Sequence, residues 1–262
     1  MKTRLFFGLE VHAPWPHLWP KGRLIEEAHR HLTLAFLGSV SLPDVEKTLS
    51  SCPRPPFQIG PCGWFDTSLL IPKQEPRLVA WHAHWLDDGV RLYQKELADW
   101  LREKGFGVDE RGWLSHITMC RQPFDSEEWT HFFKPLPFYV GPLHLYESLG
   151  HSTYRPLWTS SLASPFVEIE HMADIAFMIY GKNIHDLYEH ALIALAFKDP
   201  SLLIHWRRPA QIAGVEELVM LLNEAVRLTD QDAGCEFKAV SFHGDIQSVQ
   251  EGLLQWEMIV DV

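Results

Sequence analysis

Two four-residue stretches of this chain repeat one pattern. His31-Leu32-Thr33-Leu34 and His116-Ile117-Thr118-Met119 each read histidine, apolar, threonine, apolar. Successive side chains on a β-strand point to opposite faces. Each stretch is therefore predicted to be a strand that sends its apolar residues into a core and its histidine and threonine to the other face. That polar face needs an opening, and a cleft supplies one. The chain has 15 histidines. With threonine at roughly 5% of residues, chance gives about 0.15 such patterns per chain, and two copies are roughly a 1% event.

Two imidazoles and two hydroxyls facing one cleft suit phosphodiester chemistry. A neutral imidazole takes a proton from water, and an imidazolium protonates the leaving oxygen. Threonine hydroxyls donate to the non-bridging phosphate oxygens. Histidine fits because its pKa lies near working pH. Such a reaction needs no metal and no cofactor.

Charge divides the chain. The net charge is −11. Residues 1–164 carry 17 Lys and Arg against 18 Asp and Glu, whereas residues 165–262 carry 6 against 16. A boundary is predicted near Leu162-Ala-Ser-Pro165, giving domains over 1–163 and 164–262. The nearly neutral first domain can meet phosphate through local Arg and Lys. The acidic second domain would repel a polyanion and suits a metal ion or a basic protein surface. Cys52, Cys62, Cys120 and Cys235 form no C-x-x-C pair, which argues against a zinc cluster or a disulfide framework and fits a reducing cytosol. The N-terminal apolar stretch is short and interrupted by Glu10 and His12, so it is a poor signal peptide. No run of about 18 apolar residues exists, and neither a membrane span nor a membrane partner is expected.

Periodicity and turn residues predict mixed strands and helices, an α+β chain. Strands are expected over Leu5 to Val11, His31 to Leu37 with Gly38 ending it, near Phe57, Trp113 to Cys120 and Phe138 to Glu147. A short helix is expected over Asp44 to Ser50. A longer one spans Val90 to Lys104, with Leu92, Leu97 and Leu101 near one face and Gly105 past its end. In the second domain, strands are expected over Phe166 to Ile169, Ile175 to Tyr180, Phe237 to Phe242 and Leu254 to Val260. Helices are expected over Ile184 to Phe197, capped by Asn183, and Val215 to Leu228. His82 and His84 have same-face spacing on a strand without an evident third metal ligand, and are expected at the surface or near a bound substrate. The 11 tryptophans are mostly expected in the core.

Residues 1 to about 160 resemble the two-histidine (2H) phosphoesterases, specifically the RNA 2′,3′-cyclic phosphodiesterase group once called 2′-5′ RNA ligases. The resemblance is carried by the two HxTx motifs, Arg4-Leu-Phe-Phe-Gly8, Phe57-Gln-Ile-Gly60, Gly63-Trp-Phe65, Val79-Ala-Trp81 and His116-Ile-Thr-Met-Cys-Arg121. It implies a bilobal fold of two antiparallel sheets lining a cleft. It implies that His31 protonates the leaving 3′ oxygen, that His116 activates water, and that the product is a 2′-phosphate. Thr33, Thr118 and Arg121 would hold the phosphate. Ser115 stands where the family commonly has proline.

Residues 166–262 resemble archease, the small activator of the ligase that joins 2′,3′-cyclic phosphate ends to 5′-hydroxyl ends. Phe166-Val-Glu-Ile-Glu-His-Met-Ala-Asp174, Lys238-Ala-Val-Ser-Phe-His243 and Ile259-Val-Asp261-Val carry this resemblance, over a shortened version of the domain. It implies Asp174 and Asp261 as carboxylates for a divalent cation (Ca²⁺, Mg²⁺ or Mn²⁺), Lys238 as a functional lysine, and an RNA ligase as partner. Both resemblances concern RNA ends bearing a 2′,3′-cyclic phosphate, which suggests RNA repair or tRNA processing, including tRNA splicing. The competing reading is a non-catalytic RNA-end-binding adaptor that activates a ligase.

Overall fold

The computed structural model describes residues 2–108, 112–172, 174–249 and 252–262. The chain divides into two compact units. The first comprises Met1–Pro61, Phe65–Lys134 and Val140–Ala163, and the second comprises Cys62–Trp64, Pro135–Tyr139 and Ser164–Val262. Helices and mainly antiparallel strands intermix along the whole chain, which makes it α+β.

Up to residue 163 the elements run β1 (Lys2–His12), β2 (Arg23–Leu24), β3 (His31–Ser41), α1 (Leu42–Glu46), β4 (Cys62–Ile71), β5 (Leu78–Trp85), α2 (Gly89–Glu103), β6 (His116–Arg121), α3 (Ser126–Phe132), β7 (Leu136–Gly150) and β8 (Thr153–Ser160). Hydrogen bonding joins the strands in the order β1-β3-β6-β5-β4-β7-β8, with β2 on β6 and a further pairing of β1 with β7. Two separate sheets are expected from the resemblance. The structure links the strands into one network instead, because the 15-residue β7 pairs with β4, β1 and β8.

The motif alternation is realised on β3 and β6. Leu32, Leu34, Ile117 and Met119 are buried, while His31, Thr33, His116 and Thr118 are only partly covered. Gly38 does not end β3. Its φ of 72° sits at a bulge opposite Leu5 and Phe6, and the strand continues to Ser41. No strand forms near Phe57. Pro53, Pro55, Pro56 and Pro61 cannot donate to a ladder, and a single bridge between Ile59 and Ala163 remains. On α2 the buried face is Val90, Tyr93, Leu97 and Leu101, whereas Leu92 is 60% exposed. Gly105 follows its last turn with φ 82°.

Tryptophans build much of this core. Trp81 and Trp129 are fully buried. Trp15 and Trp19 sandwich the Arg30 guanidinium at 4.4 and 4.7 Å, and burial pulls that group's pKa down to about 10.

The second unit holds β9 (Phe166–Ile169), β10 (Ile175–Gly181), α4 (Ile184–Lys198), α5 (Val215–Ala233), β11 (Ala239–Ser248) and β12 (Leu254–Asp261). Its antiparallel sheet has the order β11-β12-β10-β9. The Asn183 side chain caps α4 by accepting from His185 N and Asp186 N. Leu187 and every residue from Ala191 to Ala196 are buried, so α4 is the unit's central helix. Asn223 of α5 is bonded twice to the β11 backbone, donating to Val240 O and accepting from Val240 N, each at 2.8 Å. Among the described residues, no helix is long and apolar enough to cross a membrane.

Candidate active site

β3 and β6 are antiparallel neighbours, with Leu32 opposite Ile117. Pairing about that point sets His31 on the Thr118 side and Thr33 on the His116 side. Each motif's histidine is thus flanked by the other motif's threonine. His31, Thr33, His116, Thr118 and Arg121 all line one cavity of about 480 Å³.

The two imidazoles are oriented alike. His31 Nδ1 lies 2.8 Å from His29 O, and His116 Nδ1 lies 2.8 Å from Leu114 O. A carbonyl oxygen can only accept, so Nδ1 carries the hydrogen in each ring. Nε2 is then the nitrogen left for chemistry.

Neighbouring elements fix this arrangement. Gly8 on β1 is opposite Thr33, and a Cβ there would meet Leu32 O at 3.0 Å and His31 Cδ2 at 3.5 Å. The absent side chain lets the His31 ring pack against β1. Trp113 Nε1 donates to Thr33 O at 2.9 Å and Gln94 Nε2 to Leu34 O at 3.0 Å, which holds β3 from outside the ladder. Ser115 is buried, accepts at Oγ from Trp85 Nε1 at 2.8 Å, and accepts at its carbonyl from Ala83 N at 3.0 Å. The residue before His116 is therefore held by hydrogen bonds where a proline would act through its ring.

Both histidines are held toward their neutral forms. The His31 ring lies among Phe6 (4.7 Å between centroids), Tyr154 (4.6 Å) and Tyr146 (5.5 Å). Burial is the main reason its pKa falls to about 4. The bond to His29 O opposes the fall, and the positive charges of His116, His29 and Arg121 reinforce it. Burial also lowers the His116 pKa, opposed by Leu114 O and aided by His82.

Strand pairing brings His82, already singled out by its spacing, beside the motifs, together with residues that sequence reasoning missed, Asp66, Arg23 and Tyr154. His82 on β5 is opposite His116, and its Nδ1 lies 2.7 Å from Asp66 Oδ1 on β4. His84 stands 4.0 Å from the other oxygen of Asp66. Arg4, Arg23 and Tyr154 also line the cavity. No spacing rule ties these residues to the motifs; Arg4 and Arg23 arrive through the pairing of β1 with β3 and of β2 with β6. Among the described residues, three guanidiniums and no carboxylate border the cavity, so it suits an anion.

Asp174, Asp261 and Lys238 come to one end of the second unit's sheet. Asp174 precedes Ile175, which pairs with Val260, and Lys238 precedes Ala239, which pairs with Asp261. Asp174 Oδ2 is 3.5 Å from His171 Nδ1, and Asp261 Oδ1 is 3.9 Å from Lys238 Nζ. Among the described residues, no group of three or more His, Cys, Asp or Glu side chains is placed to hold a metal ion.

No protein-family model and no curated protein matches the chain. Several solved structures are similar to it. E. coli LigT complexed with 3′-AMP aligns at 24% identity and a TM-score of 0.48, covering 62% of this chain and 99% of that one. A structure described as a phosphoesterase aligns at 24% identity and 0.46, covering 62% and 99%. A protein from Thermus thermophilus aligns at 18% identity and 0.46, covering 62% and 98%.

Proposed function

We propose that the protein is a metal-independent phosphodiesterase that opens 2′,3′-cyclic phosphates at RNA ends to leave a 2′-phosphate. The observation that carries this reading is the pair of imidazoles, each locked through Nδ1 to a carbonyl two residues earlier, on one cavity with two threonines and Arg121. An adaptor that only held an RNA end would need cations and donors. It would have no use for two imidazoles with free Nε2 atoms.

In the proposed step, His116 Nε2 takes a proton from water, and the water oxygen bonds to phosphorus. The bond from phosphorus to the 3′ oxygen breaks opposite, and His31 gives its Nε2 proton to that oxygen. Thr33, Thr118 and Arg121 hold the non-bridging oxygens as their charge grows. The roles of the two histidines follow the family resemblance. His31 starts neutral in the free enzyme at pH 7, since its pKa lies near 4. The phosphate's negative charge raises the pKa of the imidazole it meets, so the substrate helps to protonate its own acid.

The RNA assignment rests on the resemblance, together with a cavity that three arginines and no carboxylate border among the described residues. The archease-like unit is proposed to bring this activity to an RNA ligase, through an acidic surface that suits a basic protein. The deciding experiment incubates the protein, in EDTA, with a short RNA ending in a 2′,3′-cyclic phosphate, beside His116→Ala. Conversion to a 2′-phosphate by the unmodified protein alone is expected. No conversion from pH 5 to 8 would put the adaptor reading first.

A further inference from the structure

The cavity holds more positive charge than the reacting phosphate can use. A cyclic phosphate carries one negative charge, and Arg121 already meets it. Arg23 lines the same cavity. It is paired directly across from Arg121, in the register Arg23 to Arg121 and Leu24 to Cys120. Like charges directly opposite one another on paired strands repel. Neither side chain has a carboxylate partner within ion-pair distance among the described residues.

The segment that carries Arg23 is built to put it there. β2 is only two residues long and buries neither of them. It is nevertheless clamped to β6 and to α3. Ile25 N donates to Met119 O at 2.9 Å, and Trp129 Nε1 donates to Lys21 O at 3.2 Å. Gly22 runs so close to β6 that a Cβ would stand 2.3 Å from Cys120 Sγ. The residue after β2, Ile25, is buried in the core and anchors the register, while the two residues of β2 itself face outward. What the register delivers is a second guanidinium beside the first.

We infer that Arg23, across from Arg121, forms a second anion subsite beside that of the reacting phosphate, which takes the phosphate on the 5′ side of the terminal nucleoside. A phosphate on the 5′ side of the terminal nucleoside is then what Arg23 selects for. A second phosphate at Arg23, beside the one at Arg121, offsets the repulsion of the two guanidiniums and adds charge-assisted hydrogen bonds. This subsite rests on the phosphodiesterase reading, and it concerns which molecules that cavity accepts.

The test compares three substrates with the same terminal base: a nucleoside 2′,3′-cyclic phosphate, the same compound with a 5′-phosphate, and a dinucleotide ending in the cyclic phosphate. For the unmodified protein, kcat/KM is expected to rise at least tenfold from the first to the third. In Arg23→Gln that ratio should fall at least tenfold, chiefly through KM, with Arg23→Lys recovering part of it. If the 5′-phosphate compound shares the full gain, any second phosphate suffices. If only the dinucleotide gains, the subsite reads a diester. Equal kcat/KM for all three substrates overturns the inference. So does an equal loss on all three in Arg23→Gln.

Binding of a fluorescent dinucleotide ending in a 2′-phosphate separates this inference from the function it rests on. Absence of turnover with tight, Arg23-dependent binding would sink the phosphodiesterase and keep the subsite. Binding that Arg23→Gln leaves unchanged would sink the subsite whether or not turnover occurs.

Discussion

At the scale of single residues, the site depends on which nitrogen of each histidine is free. Both Nδ1 atoms are tied to carbonyls at 2.8 Å. Removing either ring should cost about 10²- to 10⁴-fold in kcat, the usual contribution of a positioned acid or base. His31→Ala and His116→Ala are therefore expected to fail alike in single-turnover assays. Thr33→Val and Thr118→Val each remove a hydroxyl donor to a charged oxygen, about 1.5–3 kcal/mol, and should lower kcat/KM by roughly 10- to 150-fold. The pH profile follows from the histidine shifts. Both pKa values are lowered, so the free enzyme holds both rings neutral above the ordinary histidine value of about 6.5. One of them must be protonated to act as the acid. kcat/KM should therefore peak below pH 6.5 and fall about tenfold per unit on the alkaline side. Because bound phosphate raises those values, kcat should peak at higher pH than kcat/KM. A kcat/KM optimum at pH 8 would contradict the assignment.

At the scale of elements, the motifs were legible because the strand period is two and both stretches obey it. Asn183 was legible as a cap because a side-chain oxygen before a helix finds free backbone donors. Asn183→Ala should cost about 1 kcal/mol in urea unfolding of the second unit, with His31 and His116 chemistry unaffected. Leu92 misled because three leucines looked like one face, whereas Val90 and Tyr93 are the residues that complete the buried stripe. The segment around Phe57 misled because its apolar residues sit among prolines that cannot join a ladder. Close approach of backbone is invisible in sequence altogether. A Cβ at Gly60 would lie 1.9 Å from Val140 O, so Gly60→Ala has to displace backbone. An overpacking cost of about 1–3 kcal/mol is expected, read as a fall of roughly 2–12 °C in Tm.

At the scale of the whole molecule, the net charge of −11 and the arginine-bordered cavity make opposite demands on a nucleic acid. Local cations should govern binding, because a screened field fades within about 10 Å at 0.1 M salt. Raising salt from about 50 to 200 mM should lower kcat/KM on an RNA end several-fold, with a slope near 0.7 per phosphate met on a single strand. A rate that rises with salt would mean that overall repulsion dominates. EDTA should leave turnover unchanged, since the proposed step uses only side chains. The sequence by itself determined the strands that carry the two motifs, the same-face placement of each histidine with its threonine, and the charge contrast between the two parts of the chain. Those are properties of local period and composition. Only the tertiary structure decided that β3 and β6 are neighbours, so that each histidine meets the other motif's threonine. It alone set the Nδ1 partners, and with them the free Nε2. It alone brought Arg4, Arg23 and Asp66 to the same sheet, because strand pairing joins residues whose separation along the chain carries no period to read.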